Sequence, residues 1–94
     1  MQPKILIVDD QPLVLGILSE ILSCGPYHVL AAESAEEALQ LLEGESVDVV
    51  ISDERMPGMQ GSEFLTIVRN KYPQVVRIIL TGHASVESAM RVAP

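Results

Sequence analysis

Four short, mainly apolar runs recur along the chain: Ile5 to Val8, Val29 to Ala32, Val47 to Ile51 and Val76 to Leu80. None alternates strictly between polar and apolar positions, so each reads as a β-strand covered on both faces, as parallel strands are. Helical spacing fills the gaps between them. Pro12 opens the first helical pattern, where its missing N–H costs nothing, and Leu13, Val14, Ile17, Leu18, Ile21 and Leu22 carry it to Gly25 and Pro26. The second begins with Ser34 and Glu37 at capping-box spacing, places Ala38, Leu41 and Leu42 on one face, and ends at Gly44. A third follows Gly61, with Ser62 as its expected cap and Phe64, Leu65, Ile67 and Val68 packing inward as far as Tyr72 and Pro73. A fourth is expected from near Ser85, through Val86, Ala89 and Met90 to Ala93. Strand and helix alternating in this way predict a single α/β domain over residues 1–94, with right-handed crossovers and helices on both faces of the sheet.

Composition narrows the functional classes. Six Lys and Arg against thirteen Asp and Glu give a net charge of −7, which argues against direct nucleic-acid binding. No apolar run approaches the roughly 20 residues of a membrane span, and MQPK has no signal-peptide design, so a cytoplasmic protein is expected. The single cysteine, Cys24, reads as a packed or idle thiol in a reducing compartment.

The polar residues fall in a pattern of their own. Each apolar run is followed by a polar group: Asp9 and Asp10, then Glu33, Asp53 and Thr81. In open parallel sheets, ligands bind outside the carboxyl ends of the strands where strand order reverses, so Asp9, Asp10, Asp53 and Thr81 should share one rim. Carboxylates crowded there repel and raise one another's pKa unless a cation intervenes. Mg²⁺ prefers oxygen ligands, commonly one or two carboxylates with waters and a phosphate oxygen, which points to a phosphoryl group as the companion ligand. The glycines form neither a dinucleotide-binding fingerprint nor a P-loop, and no nucleophile elbow accompanies His28 and His83. Glu54 reads as a solvated loop acid, Met56 and Pro57 as a structural loop, and Glu33 as a surface charge. Met59 and Met90 read as packing residues, and His28 as the start of a strand.

The acidic pair in IVDD, the D-x-x-M-P-x-x-x-G spacing from Asp53 to Gly61 in ISDERMPGMQG, and IILTGHA come in this order across the whole chain. Together they resemble the receiver domain of two-component response regulators. The resemblance implies a flavodoxin-like, doubly wound open sheet of strand order 2-1-3-4. It implies that Asp53 accepts a phosphoryl group from a histidine kinase, a phosphotransfer protein or a small donor such as acetyl phosphate. Asp10 would bind Mg²⁺ directly, Asp9 partly through water, with Asp53 and the backbone carbonyl of Arg55 completing the protein's share. Thr81 would hydrogen-bond the phosphoryl group and report its arrival to the surface near the fourth helix. Arg55 and His83 would tune how long the phosphate survives.

Similar domains continue into a fifth strand bearing a lysine and a fifth helix, neither of which this sequence contains. Lys4 and Lys71 are its only lysines. A C-terminally incomplete receiver with four strands and four helices is therefore expected, acting on a fused or separate effector and open to a homodimer or strand-exchanged oligomer. Two other readings stand beside a phosphoacceptor that is not a turnover enzyme. One is a degenerate receiver that docks or dimerises without phosphorylation. The other is a small metal-dependent phosphohydrolase, ranked last because Arg55 stands where a general acid or base would be needed.

Overall fold

A computed structural model describes residues 2–80 and the backbone of Val92 and Ala93. Its described elements in chain order are β1 (Lys4–Val8), α1 (Pro12–Ser23), β2 (His28–Ala32), α2 (Ala35–Gly44), β3 (Val49–Asp53), α3 (Gly61–Lys71), β4 (Val76–Leu80) and β5 (Val92–Ala93). The sheet runs β2-β1-β3-β4-β5, with the first four strands mutually parallel. The expected 2-1-3-4 order is thus present, and strand order reverses between β1 and β3.

The continuous apolar run of β1 suits its central place: Leu6, Ile7 and Val8 are almost wholly buried between β2 and β3. On one face Leu6, Val8 and Val50 meet Ala38 and Leu42 of α2 and Phe64, Leu65 and Val68 of α3. On the other, Ile5 and Ile7 meet Leu15 of α1, flanked by Leu18, Leu22, Val29, Val49 and Ile51. Not every strand is covered on both faces as the runs suggest. Val76 in β4 is half exposed, and the other residues of that strand are only partly buried.

Local signals explain most boundaries. Pro12 is the first residue of α1. Ser34 caps α2 by accepting the Glu37 N–H at 3.1 Å, and Glu37 Oε2 accepts the Glu33 N–H at 3.3 Å. Cys24 is exposed, its thiol 3.5 Å from the Glu20 carbonyl.

Three expectations need correction. The third strand is Val49–Asp53 and not Val47 to Ile51. Pairing with β1 extends to Val8↔Ser52 and with β4 to Asp53↔Leu80, so ladder hydrogen bonds carry the strand through two polar residues. Val47 is buried from the preceding loop instead. Ser62 is not the cap of α3, since Gln60 holds that position. Ala93, expected on a fourth helix, lies in β5, where Arg77↔Ala93 and Ile78↔Val92 pair antiparallel on the outer side of β4. A strand edge with unpaired backbone groups is a template for any nearby chain, and these two residues fill part of it. The rest of the expected fourth helix lies outside the described residues.

Candidate functional site

The carboxyl ends of β1 and β3 are neighbours at the reversal of strand order, and this places Asp9, Asp10 and Asp53 together. One carboxylate oxygen from each lies within 4.8 Å of the others. Asp9 is 6% exposed, which is unusual for an acid. Its Oδ1 accepts the Gln11 N–H at 2.9 Å, and its own N–H donates to the Ala32 carbonyl at 3.1 Å. Asp10 and Asp53 are partly buried.

Electrostatics follow from this crowding. Burial pushes the Asp9 carboxyl above the ordinary carboxylate value of 3.8, the Gln11 N–H opposes the shift, and the adjacent Asp10 adds to it. Burial likewise raises Asp53, helped by the charges of Asp9 and Asp10 and opposed by the backbone N–H groups of Arg55 and Glu54. A carboxyl whose folded pKa is raised stabilises the fold below its unfolded pKa. That contribution is lost as pH rises through the folded value. Without divalent ions, the melting temperature should therefore fall as pH rises from about 4 through the raised carboxyl range. Millimolar Mg²⁺ should flatten the fall, because a cation among the carboxylates favours their charged forms. Parallel melting curves with and without the ion would refute this.

Three oxygen donors converging on one point, two of them disfavoured as bare anions, fit a hard divalent cation of the Mg²⁺ type. Arg55, exposed, follows in the loop after Asp53. Thr81 and His83 lie outside the described residues, although Leu80 directly before them pairs with Asp53. Lys4 stands at the opposite end of β1, with its Nζ 3.5 Å from Glu45, and Lys71 ends α3.

The loop from Glu54 to Gln60 is held from several sides. Met56 is 7% exposed and inserts into the core beneath α2 and α3, with Met59 packed against it. Gly58 adopts φ 80, a left-handed conformation that glycine takes without strain. Gly61 lies against the end of β3: a Cβ there would meet the Asp53 carbonyl oxygen, with Glu54 Cα at 2.9 Å and the Asp53 carbonyl carbon at 3.0 Å. Those neighbours are backbone and cannot swing aside. Gly61→Ala should cost roughly 1–3 kcal/mol by overpacking and weaken Mg²⁺ uptake through displacement of Asp53. Urea unfolding and metal titration together check both halves.

Glu54 lies in the loop after β3 and outside the carboxylate cluster, as expected of a loop acid and not a ligand, and it also has a partner there. It is partly buried, and its Oε1 accepts the Ser62 N–H at 2.6 Å. Alternation of side chains along β3 had suggested only that it would point away from Asp53. The available signal was Gln60, a weak capping residue with an acid close upstream.

Fold and rim together define an open α/β domain with an acidic site at the switch point of its sheet. The chain belongs to the response regulator receiver domain family, whose sequence profile matches residues 5–93. Over 90 residues it is 37% identical to response regulator protein FleR of Pseudomonas aeruginosa, covering 96% of this chain and 19% of that protein. The signal receiver domain of an HD domain-containing protein from Pseudomonas fluorescens Pf-5 is similar at TM-score 0.86 and 40% identity, over 94% of this chain and 70% of that one. Chemotaxis response regulator CheY4 of Vibrio cholerae is similar at TM-score 0.85 and 35% identity, over 93% and 74%. The chain is thus a receiver domain of the kind found in response regulators, and it spans about a fifth of the length of the curated relatives it matches. Among the described residues no helix is long and apolar enough to cross a membrane.

Proposed function

We propose that the domain accepts a phosphoryl group on Asp53 from a histidine kinase or phosphotransfer protein, in a step that depends on Mg²⁺. The observation that carries the reading is the convergence of the Asp9, Asp10 and Asp53 carboxylates within 4.8 Å at the switch point. Asp10 and Asp9 would hold the ion with Asp53 and the backbone carbonyl of Arg55. When bound, Mg²⁺ would offset the negative charge that gathers as a phosphoryl group approaches.

Asp53 supplies the nucleophile, and must be ionised to do so. One of its oxygens attacks phosphorus, forming an acyl phosphate, while the bond from phosphorus to the donor's imidazole nitrogen breaks and the imidazole departs with the electron pair. The amides of Arg55 and Glu54 favour the ionised carboxylate against the opposing burial. Thr81 would take a phosphoryl oxygen and His83 and Arg55 would set the lifetime of the product, changing the surface that a fused or separate effector meets. The domain is an acceptor and not a turnover enzyme on this reading, and it works in the cytoplasm.

Incubation with acetyl phosphate should add the mass of one phosphoryl group in the presence of Mg²⁺ and none with EDTA. No mass gain in either condition removes the proposal.

A second reading is favoured by α1. Leu13, Ile17 and Ile21, at 75%, 51% and 61% exposure, follow one another at i, i+4 spacing along its outer face. Such a stripe suits docking or dimerisation without phosphorylation. Sedimentation that shows association independent of Mg²⁺ and phosphodonor would support this alternative; association that appears only with both would exclude it.

A further inference from the structure

The first turn of an α-helix leaves four N–H groups without partners inside the helix. A local N-cap side chain commonly takes one of them, which makes the helix start self-contained. In α3 that does not happen. Gln60 has the extended backbone of an N-cap, φ −73 and ψ 159, and its side chain makes no cap hydrogen bond. The two leading amides are served from the residue just past β3: the Glu54 carbonyl accepts the Gly61 N–H at 3.0 Å, and Glu54 Oε1 accepts the Ser62 N–H at 2.6 Å. An ionised carboxylate at the positive end of a helix makes a charge-assisted bond favoured by the macrodipole.

Glu54 also donates its own N–H to the Leu80 carbonyl at 3.2 Å. One residue therefore joins the end of β3, the end of β4 and the start of α3. The chain between, residues 55–60, is a loop closed by that residue. Its first member supplies the Arg55 N–H that Asp53 accepts. The placement of α3 and the orientation of the Asp53 carboxylate are thus mechanically linked through a side chain one position past the acceptor.

We propose that Glu54 is a positioning residue for the acceptor site: its carboxylate clamps α3 to the end of β3 and so keeps the Arg55 amide on Asp53 and the three carboxylates in their converged geometry. This rests on the reading of Asp53 as an Mg²⁺-dependent phosphoacceptor. It differs from simple helix capping, because a cap supplied from residue 60 would stabilise α3 equally while leaving the acceptor loop untied.

Three variants separate these roles, with Mg²⁺ affinity measured by calorimetric titration, melting temperature, and hydrogen exchange at the Ser62 and Arg55 amides. Glu54→Gln keeps an oxygen acceptor for Ser62 and should hold Mg²⁺ affinity near that of the parent protein. Glu54→Ala should lose about tenfold in Mg²⁺ affinity, as loss of a supporting hydrogen bond around a metal site does, and expose both amides to exchange. Glu54→Ala/Gln60→Asp should recover the melting temperature and Ser62 protection through a local cap, yet leave Mg²⁺ affinity and Arg55 protection low.

Unchanged affinity in a folded Glu54→Ala protein overturns the proposal. So does full recovery of affinity in the double variant, which would make Glu54 a helix cap alone, and so does an equal loss in Glu54→Gln, which would make its charge the cause. Failure of the parent protein to take up Mg²⁺ or label with acetyl phosphate is a different result, which removes the phosphoacceptor reading and with it the purpose of the clamp.

Discussion

Asp53→Asn is expected to cut phosphoryl labelling by acetyl phosphate to background, a loss on the order of 10³-fold or more, as removal of a nucleophile does. The amide is close to isosteric and its oxygen can still accept from the backbone, so the effect isolates charge and nucleophilicity from packing. The same variant should raise the melting temperature of the metal-free protein. Asp53 is held above its ordinary pKa by burial and by the charges of Asp9 and Asp10, so neutralising it relieves all three carboxylates. Mg²⁺ should then stabilise the variant less than the parent. Mass spectrometry for labelling and paired melting curves for stability read these effects separately. Labelling that survives in the variant would move the acceptor to another residue, whereas a melting temperature lowered by the substitution would contradict the repulsion on which the site's chemistry depends.

The largest stability effect is expected from Phe64→Ala, at about 3–5 kcal/mol. Phe64 is the only phenylalanine, has no exposed surface, and sits on α3 against β1, β3 and α2. Its removal leaves a void beside Leu6, Val8, Val50 and Val68, whose positions are fixed by strand pairing and by α3 itself, so that the space cannot collapse fully. For a small domain whose total stability is roughly 5–15 kcal/mol, this is a large share. Urea unfolding should show a lower midpoint with little change in slope. A loss below about 1 kcal/mol would mean that α3 is packed less tightly than its burial indicates.

Much of the site was legible because the relevant signals are local. Apolar runs ended by acids, and a Met-Pro loop after the third of them, need only a parallel sheet to bring Asp9, Asp10 and Asp53 together. The parallel sheet itself follows from runs without strict alternation. The partner of Glu54 was not legible for the complementary reason: it is the Ser62 amide, eight positions on, and nothing in the spacing says which acid near a helix start will reach it. The shift of β3 toward Asp53 has the same origin, since polarity suggested an end at Ile51 while pairing with Val8 and Leu80 carries the strand two residues further.

By itself, then, the sequence determined the kinds and order of the elements from β1 to β4 and the chemistry available at the strand ends, because hydrophobic period, proline and capping residues act over a few positions. Tertiary structure alone decided which faces were covered, how far β3 extends, where Val92 and Ala93 pair, and that Glu54, just past β3, caps α3. Those outcomes depend on hydrogen bonds and buried area contributed by residues distant along the chain, and no local pattern encodes them.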